Sequence, residues 1–133
     1  MKLLDTCFLI RYNYGDDDAE EYRESHPSET FITTSINVKE FIIGITEADD
    51  GSGLMMWEIK DQFDWIRFET YRNTFGFEAA QIETQLRANG DFEERLMGDI
   101  LIGGAARDLQ AEIVTENSSD FNMMNGVDYD SYK

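Results

Sequence analysis

The hydrophobic positions along the chain fall into two alternating kinds of segment. Short apolar runs at 2–5, 30–33, 65–70 and 112–115 read as strands. The first, Lys2-Leu3-Leu4-Asp5, has the look of a central parallel strand buried on both faces. Between these runs lie segments with apolar residues at helical spacing. An apolar segment at 8–14 is followed by an acidic helical stretch at 16–24. A helix begins after Ser35, its candidate cap, and runs to Ala48. Gly51 and Gly53 separate that helix from another at 54–64. Phe75, Ala79, Ile82 and Leu86 mark a helix over 73–89 with Gly90 as its stop, and residues 97–109 form a helix rich in small residues. Val127 to Tyr129 adds a candidate edge strand. Strands alternating with helices imply parallel crossovers, hence an α/β fold. The expected form is a three-layer α/β/α sandwich around a central parallel sheet of four to five strands.

In such a sheet, ligands bind beyond the carboxyl ends of the strands. Asp5 follows Leu3-Leu4 directly, and Asp120 follows the strand at 112–115 after one turn. Two further acids stand on helices in unusual company. Glu40 lies between Ile36 and Ile43, while Val38, Phe41, Ile42 and Ile45 form an apolar stripe on the other side. A carboxylate set among hydrophobes needs a cation, a proton or an arginine. A metal site and an internal ion pair with Lys39 or Arg11 both satisfy that need. Asp99 opens its helix on the face of Ile102, Gly103 and Ala106, where the helix dipole alone favours an acid. The glycines at 103 and 104 predict a close approach of this helix to the sheet. Asp120 also suits a turn after Ser118-Ser119.

Length and composition narrow the class. One domain spanning 1–133 accommodates the 133 residues, and 41% hydrophobic residues supply a core. No apolar run approaches the roughly 20 residues that span a bilayer, and no signal-peptide pattern opens the chain, so a cytoplasmic protein with no membrane partner is expected. The single cysteine, Cys7, allows no internal disulfide and no thiolate metal cage, and reads as a small apolar core residue. His26, the one histidine, precedes Pro27 in a polar stretch and reads as a loop residue. Twenty-eight Asp and Glu against eleven Lys and Arg give a formal charge of −17. Such a field repels nucleic acid unless salt screens it. A dispersed acidic surface with few lysines resembles proteins of halophilic archaea, where charge is screened within roughly 3 Å at 1 M salt.

Four motifs, in order, resemble those of the PIN-domain family. LDTCFLI at 4–10 is similar to the family's opening strand and turn, which usually reads Leu-Asp-Thr-Ser before apolar residues. INVKEFIIGI at 36–45 resembles the helix carrying the family's glutamate. GDILIGGAA at 98–106 resembles its aspartate followed by apolar and small residues. IVTENSSDF at 113–121 is similar to its last strand and Thr-x-Asn-x-x-Asp-Phe turn. The small size and short loops are most like the VapC-type toxins of type II toxin–antitoxin pairs. Cys7 in place of serine, and two glycines in place of an alanine pair, are the departures, and neither removes a ligand.

The resemblance implies a divalent-metal-dependent endoribonuclease. Asp5, Glu40 and Asp99 would be its core metal ligands and Asp120 a fourth acid, with Thr6 and Asn117 orienting carboxylates or turns and Thr115 structural. Mg²⁺ or Mn²⁺ would be the cofactor, since hard carboxylate oxygens select these ions. It also implies an RNA substrate, a cognate antitoxin protein and a homodimer. Arg11, Lys39, Arg72, Arg95 and Arg107 are the candidates to touch phosphates. Apolar residues around much of the segment 54–66, including Met55, Met56 and Trp57, suggest a seam for a second copy or the antitoxin. A phosphatase or receiver site fits poorly, lacking the second aspartate at position 7 and a late lysine before the terminal Lys133. The main alternative is a PIN-like interaction module without catalysis.

Overall fold

In a computed structural model, which describes residues 1–48 and 54–133, five strands form one wholly parallel sheet in the order β3-β2-β1-β4-β5. The strands are β1 (Lys2–Leu4), β2 (Phe31–Thr34), β3 (Ile66–Glu69), β4 (Glu112–Thr115) and β5 (Asp128–Ser131). The helices are α1 (Thr6–Asn13), α2 (Asp17–Ser25), α3 (Ser35–Ala48), α4 (Met56–Gln62), α5 (Asn73–Ala88), α6 (Met97–Leu109) and α7 (Ser118–Asn122), with a short 3₁₀ turn at Glu94–Leu96 before α6. The expected α/β/α sandwich is what forms. The turn expected around Ser118-Ser119 is wound into the short α7, and the edge strand lies one residue later than its hydrophobic pattern suggested. The predicted break at Gly51 and Gly53 lies outside the described residues.

Alternation along the strands builds the layers, because successive side chains point to opposite faces. Leu3, Ile32 and Ile113 face one core, shared with Phe75, Ile82 and Leu86 of α5, Ile100 and Ile102 of α6, and Phe121. Leu4, Phe31, Val114 and Ile66 face the other, shared with Phe8, Tyr22, Phe41, Ile45, Ile59 and Phe63 from α1 to α4 and the residue after it. The chain runs outward from β1 to β2 and β3, then returns to lay β4 and β5 on the other side. That reversal leaves a crevice above the carboxyl ends of β1 and β4, where Leu4 pairs with Val114.

Two local expectations are corrected. The hydroxyl that caps α3 belongs to Thr34, which accepts from Asn37 N at 3.4 Å; the Ser35 hydroxyl instead accepts from Tyr71 N at 3.0 Å. The close approach of α6 is to α5 and not to the sheet. A Cβ on Gly104 would stand 2.5 Å from Phe75 O and 2.6 Å from Ala79 N, so the two helix backbones touch there. Gly90 sits at φ +75, where glycine ends α5 at no steric cost.

Candidate metal centre

The site is assembled from four separate pieces of chain around the β1–β4 crevice. Asp5 leaves β1 and caps α1: its Oδ1 accepts from Thr6 N at 2.8 Å, and its backbone N–H is held by Val114 O at 3.1 Å. Its other oxygen accepts from the buried Thr115 hydroxyl at 2.8 Å. Asp5 is thus fixed from both strands, with only 5% of its surface exposed. Burial is the main force raising its carboxyl above the ordinary range, and the nearby Glu40 charge adds to it.

Glu40 projects from α3 toward the same opening. No ion pair with Lys39 or Arg11 forms; the Thr6 hydroxyl donates to Glu40 Oε1 at 2.8 Å, and Asn37 Nδ2 donates to that hydroxyl at 3.3 Å. From the opposite layer α6 brings Asp99, reached by Asn117 Nδ2 at 3.3 Å. Gly98 makes room, since a Cβ there would lie 3.1 Å from Glu40 Oε2. Burial, followed by the charges of Asp5, Asp120 and Glu40, pushes the Asp99 carboxyl up to about 7. Asp5, Thr6, Cys7, Glu40, Asp99, Glu116 and Asn117 line an opening of about 320 Å³.

Asp120 stands slightly apart. Asn117 Nδ2 donates to it at 2.9 Å, linking it to Asp99, but Arg95 Nη1 lies 3.0 and 3.2 Å from its two oxygens. Asp120 is close enough to act on the charge of Asp99 without lining the opening itself. Cys7 packs against the core as expected and also lines the opening, with Sγ 3.7 Å from both Asp5 Oδ2 and Thr115 Oγ1. Burial and the Asp5 charge push its thiol up to about 11. His26 lies far from this chemistry, stacked on Tyr22 with Nδ1 2.7 Å from Tyr22 O.

Two residues have sharper roles than the sequence suggested: Thr115, expected to be structural, and Arg95, expected among the phosphate candidates. Thr115 serves as the clamp on Asp5, a role readable from the β1–β4 pairing that sets position 115 beside position 5. Arg95 touches Asp120, and no local sequence signal marks it.

Among the described residues, no three His, Cys, Asp or Glu side chains stand close enough to form a finished metal cluster. The carboxylates lie within range of mutual repulsion but not of shared ligation. The donor set still suits a hard divalent cation: carboxylate oxygens from Asp5, Glu40 and Asp99, no soft ligand of low pKa, and an aspartate pushed up to about 7 by burial and by the neighbouring carboxylates. Asp5, Glu40 and Asp99 are the residues that would hold such an ion.

No protein-family model matches the sequence, and no curated protein does. Solved structures do match the fold over almost the whole chain. A chain of VapBC2 from Rickettsia felis, bound to a promoter DNA fragment, superposes with a TM-score of 0.81 at 17% identity, covering 99% of this chain and 98% of that one. DNA-bound VapBC from Salmonella typhimurium gives 0.78 at 19% identity, with 99% and 98% covered. A toxin–antitoxin complex from Klebsiella pneumoniae gives 0.70 at 19% identity, with 96% and 95% covered. The fold is therefore PIN-like, of the kind found in VapBC toxin–antitoxin complexes. No helix among the described residues is long and apolar enough to cross a membrane.

Proposed function

We propose that this protein is the toxin of a toxin–antitoxin pair and acts as an endoribonuclease dependent on Mg²⁺ or Mn²⁺. The observation that carries the reading is the convergence of Asp5, Glu40 and Asp99, from β1, α3 and α6, on one opening at the switch point of the sheet. Surplus negative charge at a strand-end crevice is costly for a fold to maintain, and a cation offsets that cost. Held there, a divalent ion supplies the positive charge that stabilises a phosphodiester under attack by water.

The chain's own residues divide the remaining work. Thr115 and the Thr6 N–H hold Asp5 in one orientation. Thr6, itself held by Asn37, orients Glu40. Asn117 spans Asp99 and Asp120 and keeps that pair in register. Burial and the neighbouring carboxylates raise the Asp99 carboxyl to about 7, and as the carboxylate it would help hold the cation. The absence of a histidine near the site is no obstacle, since none of these roles requires one.

An antitoxin partner and a homodimer belong to the same reading. The exposed Met55, Met56 and Trp57 at the start of α4 offer apolar surface for one or the other. The large negative charge fits work in a salt-rich cytoplasm. The test is expression in a bacterial host: the wild type should arrest growth, co-expression of the adjacent gene should relieve it, and Asp99→Asn should be harmless. Harmless wild-type protein at full soluble expression would reject the toxin role. Growth arrest undiminished in Asp99→Asn would favour the PIN-like interaction module without catalysis.

A further inference from the structure

Resting on the nuclease reading, we propose that Arg11 and Arg95 hold the phosphates on either side of the cut, so that single-stranded RNA crosses the acidic opening from one to the other. The ion pairs of the structure separate these two from the other basic residues. Lys2 is held by Glu112 and Asp130, Arg67 and Arg72 by Glu69, Arg87 by Glu83, and Lys133 by Asp16 and Asp18. Arg107 is bound by Glu78, Gln81 and the Asn125 carbonyl, Arg23 donates to the Tyr12 hydroxyl and lies over the Trp65 ring, and Lys39 and Lys60 line an apolar groove with Ile42 and Met56. Arg11 pairs with Glu116, which lines the opening, and Arg95 pairs with Glu93 and with Asp120, the acid that Asn117 joins to Asp99.

Each of the two is placed by an element that also places a site carboxylate. Arg11 lies in the last turn of α1, the helix that Asp5 caps. Arg95 lies in the 3₁₀ turn that leads into α6, four positions before Asp99. Arg11 thus reaches the opening through Glu116, which lines it, and Arg95 reaches it through Asp120 and Asn117, which lead to Asp99. On the Arg11 side the opening continues through Cys7 and Glu116 into a second cleft of about 560 Å³, lined also by Ile10 and Asp16, which is large enough for a flanking nucleotide.

Arg11 can exchange its partner, and Arg95 can take on an additional one. Their side chains are 49% and 59% exposed, and the Arg11–Glu116 separation of 3.6 Å is long for a firm pair. The Arg11–Glu116 pair is exposed and contributes little, whereas Arg95 keeps its bond to buried Asp120 and meets a phosphate with its remaining N–H groups. In a chain with 28 acids, two such positions are what give a polyanion a defined path.

The test is binding of a short labelled single-stranded RNA, followed by fluorescence anisotropy in the Asp99→Asn background so that cleavage does not intervene. Affinity is measured in Mg²⁺ across KCl from about 0.2 to 1 M, a range over which screening changes strongly. Each phosphate contact contributes about 0.7 to the slope of log affinity against log salt for a single strand. Arg11→Ala and Arg95→Ala should each reduce the slope by about 0.7, and together by about 1.4. Arg95→Lys, which keeps the charge and the pairing with Asp120, should retain it. Arg67→Ala, the same charge change on edge strand β3 beside Met1, should leave the slope alone. Slopes for the Arg11 and Arg95 variants equal to that of Arg67→Ala, with wild-type cleavage intact, would overturn the arginine assignment and leave the nuclease reading standing. No RNA binding together with no wild-type cleavage would remove both.

Discussion

Thr115 Oγ1 donates a 2.8 Å hydrogen bond to Asp5 Oδ2 across 110 positions of sequence, both groups being buried. The hydroxyl also accepts from Asn117 N at 2.9 Å, so one side chain joins the fixed Asp5 carboxylate to the turn that carries Asn117. Thr115→Val keeps the shape and removes both bonds. Groups that orient a ligand typically matter by about 10–100-fold in metal affinity or activity. Thr115→Val should therefore need about tenfold or more additional Mn²⁺ for half-maximal cleavage, with cleavage recovering at saturation. An unchanged Mn²⁺ requirement would show that Asp5 does not depend on this clamp.

The raised carboxyls set a pH dependence of stability. Asp99, at about 7, and Asp5, also raised, bind protons more tightly folded than unfolded. Their contribution is most favourable at low pH and is lost as pH rises from the ordinary aspartate value near 4 through the raised folded values. With EDTA present, the melting temperature at pH 8 should lie below that at pH 5.5. Asp99→Asn should flatten this difference and raise the melting temperature at pH 8 by a few degrees. A wild type that gains stability over the same interval in EDTA would mean that the acids are not crowded as described.

Glycine positions on the two facing helices should respond in opposite senses. Gly104→Ala drives a methyl group into Phe75 O and Ala79 N, backbone atoms that cannot turn aside, and should cost about 1–3 kcal/mol. A Cβ on Gly76, in α5, meets nothing within 4 Å, so Gly76→Ala should stabilise by about 0.5–1 kcal/mol through helix propensity. Urea unfolding of the pair reads both. Equal midpoints would contradict the backbone contact between α5 and α6.

Cys7 should be a poor nucleophile despite lining the opening. Burial and the adjacent Asp5 hold its thiol near 11, so little thiolate exists at pH 8. Iodoacetamide should modify it well below the rate for free glutathione. Modification faster than glutathione would require a positive local field that these carboxylates do not provide.

The sheet and the three principal carboxylates were legible in the sequence because each depends on local pattern. Leu3-Leu4 followed by Asp5 is a strand and its end, and an acid among Ile36, Phe41 and Ile43 is anomalous on its own helix. What escaped is relational. The partner of Gly104 proved to be α5, since small residues announce a close contact without saying with what. Ser35 looked like a cap, yet Thr34 one residue earlier has the geometry, and Ser35 binds a backbone amide 36 positions away. Cys7 packs against the core as its apolar neighbours suggested, but that it also borders the crevice follows only from where α1 begins. Arg95 and Asp120 meet only because the turn before α6 and the helix α7 both border β4's exit, which no local pattern encodes.

The central claim, hydrolysis of RNA by carboxylates that share a divalent cation, is tested most directly by cleavage of a defined RNA at high KCl. Wild type, Asp5→Asn and Asp99→Asn are compared with Mg²⁺, with Mn²⁺ and with EDTA. The account predicts cleavage by the wild type in either metal, none in EDTA, and a loss of about 100-fold or more in both variants, in line with removal of a group that stabilises transition-state charge. Equal cleavage by all three proteins, or cleavage that survives EDTA, would contradict it.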